Sequence, residues 1–132
     1  MVDMEMTMSK PVVKYSSAVS NYRYVLLMID PDAPFPCAPP GVTISDHIHY
    51  AAVVRAINQI LLPVDILIDY HSPHPSIGIH RYQIYLFDWS PGRQLVMHND
   101  PDNRTLFNMD VFRSDNNLNG PITAFQFRVM RS

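Results

Sequence analysis

Tyr24-Val25-Leu26-Leu27-Met28-Ile29-Asp30-Pro31-Asp32-Ala33-Pro34 joins the most apolar run of the N-terminal third to two carboxylates separated by one proline. The run has strand length and no polar face, so it reads as a strand covered on both sides. Proline removes a ladder donor, fixes φ and biases the preceding residue towards extended backbone. The strand is therefore expected to end at Asp30 in a stiff corner that carries two charges. Carboxylates at the end of a buried strand are costly without partners. The downstream histidines are the expected partners, above all the one in Gly78-Ile79-His80-Arg81-Tyr82.

Outward from this stretch the chain reads as strands and proline-stiffened loops. Residues 1–9 lack periodicity and read as a frayed tail. Val12 and Val13 suggest a short strand. Residues 16–21 read as a polar turn, and residues 35–45 as a loop. Residues 48–62 are ambiguous, with a strand-like start at His47-Ile48-His49-Tyr50 and some helical spacing after it. Val64, Ile66, Ile68 and Tyr70 alternate as in a strand. In residues 82–87, Tyr82, Ile84 and Leu86 face one way and Tyr85 and Phe87 the other, a central strand buried on both sides. Phe107, Met109 and Val111 alternate as a further candidate strand, and Phe125, Phe127 and Val129 as a last, half-exposed one. The reading is a single, mainly β domain over residues 1–132.

Composition narrows the function classes. With 132 residues, 47% hydrophobic and 17% charged, the chain can bury a core without staples. A net charge of −2 argues against an electrostatic grip on nucleic acid or anionic lipid. The single cysteine, Cys37, excludes an intrachain disulfide and suits a reducing, cytoplasmic setting. No signal-peptide pattern and no membrane-spanning apolar stretch is evident.

Strand parity places Gly78, His80 and Tyr82 on one face and Arg81 on the other. The same parity pairs His47 with His49. An imidazole and a phenol at the mouth of a buried strand suit hydrogen bonding to a ligand, and Gly78 permits close approach. The loop Ser72-Pro73-His74-Pro75-Ser76 is a rigid ligand wall, or simply a stiff connection. Two enzyme readings compete. One is a zinc site built from His47, His49, His80 and an aspartate. The other is a hydrolase using Ser72 or Ser76 beside His71 or His74, although no nucleophile elbow or glycine-rich phosphate loop occurs.

Taken in order, Asp30-Pro31-Asp32-Ala33-Pro34, a histidine on the next strand, and Tyr70 through Pro73 and Pro75 to Gly78-Ile79-His80-Arg81-Tyr82 resemble the phosphatidylethanolamine-binding protein family. That family includes the Raf kinase inhibitor proteins and plant flowering regulators. The resemblance runs over residues 24–89 and, more weakly, over residues 107–127. It implies a β-sandwich with a large central, largely antiparallel sheet, few short helices and a small anion pocket. It also favours the strand reading of residues 47–54. The implied ligand-binding residues are Asp30, Asp32, Pro34, His49, Pro75, Gly78, His80 and Tyr82, with His47 competing for the place of His49. The implied activity is non-enzymatic binding of a phosphate-containing ligand or phospholipid headgroup. Kinases or other signalling proteins are the implied partners, and no cofactor is implied. A pocket that has become vestigial, leaving a protein-binding surface, is the alternative.

Against the family pattern, the segment before the core strands is short. The chain stops at Ser132, where many relatives carry a helix. An open pocket with an exposed apolar rim is the expectation, and with it self-association or a protein partner. Phosphate-type ligands are expected to bind more tightly as pH falls from about 8 to about 6, as His49 or His80 gains a proton.

Overall fold

A computed structural model describes residues 10–33, 45–73, 78–89 and 94–131. Six strands, β1 (Val13–Lys14), β2 (Arg23–Ala33), β3 (Ser45–Ile57), β4 (Ile60–Ile68), β5 (Gly78–Asp88) and β6 (Thr123–Arg131), form one sheet. Its order is β1-β4-β3-β2-β5-β6 and every pairing is antiparallel. The one helix among the described residues is α1 (Met109–Asp115). The mainly β architecture and the large antiparallel central sheet expected from sequence are borne out.

β2 lies at the centre because its residues are apolar on both faces. Tyr24, Leu26 and Met28 join one buried cluster with Tyr50, Ala52, Val54, Tyr82, Ile84 and Leu86. Val25, Leu27 and Ile29 join the opposite cluster with Ile48, Ala51, Phe87, Phe107 and Phe112. The second cluster is closed by α1 and the segments around it. The side chain of Asn116 fixes that cover, bonding the backbone of Val96 in both directions and the carbonyl of Phe112. The ambiguous stretch 48–62 is a β-hairpin. Asn58 and Gln59, at φ 50° and 70°, make its two-residue turn, with Ile57 paired to Ile60.

Two expectations are corrected. Phe107, Met109 and Val111 do not form a strand. The side chain of Asn108 accepts the Val111 amide at 3.0 Å and caps α1, which buries Phe112 and leaves Val111 43% exposed. Phe107 precedes the helix, and the residue that α1 buries, Phe112, lies outside the alternating set, so three alternating apolar residues are too few to mark a strand. β2 also does not end at Asp30. It continues to Ala33 along β3, with a register shift between Asp30 and Ala33, while its pairing with β5 stops at Ile29. Pro31 therefore sits where the ladder is already irregular and no β5 partner requires its missing amide. No helix among the described residues is long and apolar enough to cross a membrane.

Candidate functional site

The site begins where β2 and β5 part. Beyond Ile29 the backbone ladder between them is replaced by the two aspartate side chains. Asp30 Oδ2 lies 2.7 Å from His80 Nδ1, and Asp30 Oδ1 accepts the Asp32 amide at 2.8 Å. Asp32 Oδ2 accepts the Arg81 amide at 2.8 Å, and its carboxylate takes the Arg81 guanidinium in a fork at 2.9 and 3.0 Å. The alternation of β5 lets one motif serve both faces, with Asp30 on the His80 side and Asp32 on the Arg81 side.

Burial separates the two carboxylates. Asp30 is 4% exposed, and desolvation lifts its carboxyl above the ordinary range against the opposing pull of His80 and the Asp32 amide. Asp32 also meets desolvation, but the bonds and charge of Arg81 outweigh it and hold its carboxyl below that range.

His49 is brought in by a β-bulge. Met28 pairs with Tyr50 but Ile29 pairs with Ile48, so His49 is an extra residue in β3. Bulges of this kind re-aim a side chain. Without the bulge, Ile48 and Tyr50 would share a face; instead they occupy opposite clusters. His49 packs edge-on against Tyr82 at 5.2 Å between ring centres, and His80 stacks with Tyr82 at 6.4 Å. His47 stands 4.8 Å from His49, half-buried, so it adjoins the site behind the histidine that touches Tyr82.

The protonation of His49 follows from its neighbours. Its Nδ1 lies 2.6 Å from the His71 carbonyl oxygen, which can only accept, so Nδ1 carries a proton. Burial, partly opposed by that bond and reinforced by His47, His71 and Arg104, pushes its pKa down to about 3. Burial and the same cationic surroundings push His47 down to about 4. His49 is therefore neutral between pH 6 and 8 and presents Nε2 as an acceptor. The expectation that it gains a proton in that range is corrected. Tyr82, 1% exposed, is held well above the ordinary phenol range by burial and then by Asp30, so it is a neutral hydroxyl.

Arg104 escaped the sequence reading. β4 leaves β3 at the Ala51–Ile68 pair, and residues 104–107 take over the edge: the Ile48 amide donates to the Arg104 carbonyl at 2.8 Å, and the Phe107 amide to the Asp46 carbonyl at 3.1 Å. The Arg104 guanidinium donates to the carbonyls of His49 (3.0 Å), Asp69 (3.0 Å) and Pro101 (3.1 Å). It is the clamp on the bulge. Its targets are all backbone, so no residue pattern announces it. Charge-assisted bonds of this kind contribute about 2 kcal/mol net. Arg104→Ala is expected to destabilise the fold by about that amount in urea denaturation, and Arg104→Lys to recover less than half, because an ammonium cannot fork across separate carbonyls.

Of the remaining sequence-selected residues, Gly78 opens β5, paired with Arg131. Pro34 and Pro75 lie outside the described residues, as do Cys37, His74 and Ser76 of the competing readings. Among the described residues no group of three histidine, cysteine or acidic side chains is placed to hold a metal ion, so the zinc set of His47, His49 and His80 with an aspartate is not assembled there. The two buried histidines commit Nδ1 to Asp30 and to the His71 carbonyl.

No family model matches the chain. CEN-like protein 1 of Nicotiana tabacum is 32% identical over 124 residues, which is 93% of this chain and 67% of that protein. Protein BROTHER of FT and TFL 1 of Arabidopsis thaliana is 32% identical over 125 residues, 94% of this chain and 67% of that protein. Protein TERMINAL FLOWER 1 of the same plant is 31% identical over 124 residues, with 93% and 67% covered. Among solved structures, a chain in the complex of carboxypeptidase Y inhibitor with its cognate proteinase superposes at a TM-score of 0.74. That match covers 99% of this chain and 75% of the other at 18% identity, a likeness of fold.

Proposed function

The chain belongs to the phosphatidylethanolamine-binding protein family, and from that premise we propose that it is a non-enzymatic cytoplasmic protein that binds a phosphate-type anion at His80, Tyr82 and His49. The anion is the headgroup of a phospholipid or a phosphorylated group on a signalling partner such as a kinase. Asp32, Pro34, Pro75 and Gly78 belong to the proposed surroundings of the pocket.

The reading rests on one observation above all, the buried Asp30–His80 pair. A bare carboxylate facing a phosphate would repel it. With Nδ1 of His80 committed to Asp30, a proton on Nε2 turns that atom into a charge-assisted donor, and the Tyr82 hydroxyl supplies a second. The neutral His49 offers Nε2 as an acceptor, which suits a protonated phosphate oxygen or the ammonium of an ethanolamine headgroup. Binding is therefore coupled to proton uptake, and affinity rises as pH falls. Of the two histidines named in the sequence expectation, His49 and His80, the proposed coupling falls to His80.

Titration calorimetry in two buffers of different ionisation enthalpy tests the coupling. Glycerophosphoethanolamine serves as the probe, because a phosphodiester has no titration of its own near neutral pH. About one proton taken up per ligand is expected, and a Tyr82→Phe variant should bind more weakly with the uptake unchanged. Inorganic phosphate, run in parallel, distinguishes a headgroup site from a general phosphate site. Saturable binding with no buffer dependence would overturn the coupling, and absence of binding by both probes would overturn the site.

A further inference from the structure

The sheet has two edges, and they differ in how they are guarded. On one side β4 is covered by β1 only at Ile60 and Leu61, and the rest of its length carries Pro63, Asp65 and two register shifts against β3. Prolines, charges and bulges are the usual protection of an exposed edge. On the other side β6 pairs with β5 in an unbroken register from Gly78–Arg131 to Leu86–Thr123, and no strand among the described residues pairs with its outer edge. Its sequence, Thr123-Ala124-Phe125-Gln126-Phe127-Arg128-Val129-Met130-Arg131, contains no proline and no register shift against β5, and its charges are Arg128 and Arg131. Phe125 is 62% exposed beside an apolar groove of about 360 Å³, lined by Val12, Leu26, Ile84, Leu86 and Thr123 as well as Phe125 itself.

We propose that the outer edge of β6 pairs antiparallel with β6 of a second copy, joining two sheets into one across a two-fold axis. The occupant follows from the strand itself. A two-fold contact needs one patch that complements itself. Antiparallel pairing centred on Gln126 sets Phe125 opposite Phe127 of the second copy, an aromatic pair, and sets Arg128 opposite Ala124. The two cationic side chains then avoid like-charge opposition across the strands. A net charge of −2 leaves little long-range repulsion between copies. Phe125, Phe127 and Val129 lie on the face that carries Tyr82 and His80, opposite Ile84, Tyr82 and His80 in register. The pairing thus extends the sheet beside the candidate pocket without using its residues.

Sedimentation velocity of the 132-residue chain over roughly a hundredfold concentration range tests this, because a dimer population shifts by mass action. The expected result is a monomer–dimer equilibrium. Hydrogen exchange across the same range should show β6 amides gaining protection in step with the dimer. Phe125→Lys places a standard edge guard at an exposed position outside the core and should abolish the dimer while leaving the circular dichroism spectrum unchanged. A strictly monomeric wild type would overturn the proposal. A dimer that survives Phe125→Lys, or one that forms without added protection of β6, would also overturn it by placing the contact elsewhere.

Discussion

Acidification from pH 7 to pH 4 is expected to remove about 4 kcal/mol of folding stability, most of it before any aspartate of ordinary pKa is protonated. The cause is the pair His47 and His49. Each titrates at 6.5 when unfolded but is held down in the fold, to about 4 and about 3, chiefly by burial. Between pH 6.5 and those values the unfolded chain binds protons that the native state refuses, so stability falls as pH falls. At 1.36 kcal/mol per pH unit, His49 contributes about 3 kcal/mol of this loss by pH 4, and the half-buried His47 less because solvent screens it. The other groups act lower on the scale. Asp32, depressed by Arg81, adds stability above pH 3.8 that is lost as pH falls through its lower folded value. Asp30 and Asp46, raised by burial, act in the opposite sense, favouring the fold below 3.8 and losing that contribution as pH rises through their raised values. Since small domains are stable by only about 5–15 kcal/mol, the chain should be close to unfolding by pH 4. Urea midpoints at successive pH values measure the effect. His49→Gln should remove about three quarters of the acid sensitivity, and a midpoint constant from pH 6.5 to 4 would refute the burial of both imidazoles.

Asp30 variants are expected to give the second large effect, and to separate structure from binding. Asp30→Ala strands the buried His80 Nδ1 and the Asp32 amide together, and breaking a buried pair from one side costs about 3 kcal/mol. Asp30→Asn keeps the acceptor for the Asp32 amide but turns an NH2 group towards Nδ1. The His80 proton is then displaced to Nε2 without any gain of charge. Stability should fall by less than half of the alanine cost. Anion affinity near pH 6 should fall about tenfold, the loss of one charge-assisted bond of about 1.5 kcal/mol, and the pH slope should vanish. An Asp30→Asn protein that binds as tightly as wild type with the same slope would show that the carboxylate does not set the state of His80.

Much of this was legible in the sequence. The two-sided run of β2, the alternation of β5 and the pairing of Asp30 with His80 follow from apolar pattern, strand parity and the cost of a buried carboxylate. The bulge at His49 was not legible, because an extra residue in a strand alters facing without altering composition. Parity grouped His47 with His49 correctly, since both lie before or at the bulge, but it could not foresee that Ile48 and Tyr50 would point to opposite clusters. The continuation of β2 past Pro31 was hidden for a related reason. Proline is excluded from a paired ladder, and the sequence does not say that β5 has already moved away. Arg104 was invisible because it binds only carbonyls brought together by the fold. The helix at Met109–Asp115 turned on one capping residue, Asn108.

The central claim is that His80, held by Asp30, meets the ligand through Nε2. Nitrogen-15 NMR of the imidazoles in the wild-type chain, titrated with glycerophosphoethanolamine, observes that atom directly. Nε2 of His80 is expected to move from an unprotonated to a protonated shift on saturation. Nε2 of His49 should be perturbed without gaining a proton, and the surface His98, paired with Asp115, should be unmoved. Saturation of the protein with no response at either nitrogen of His80 would contradict the account.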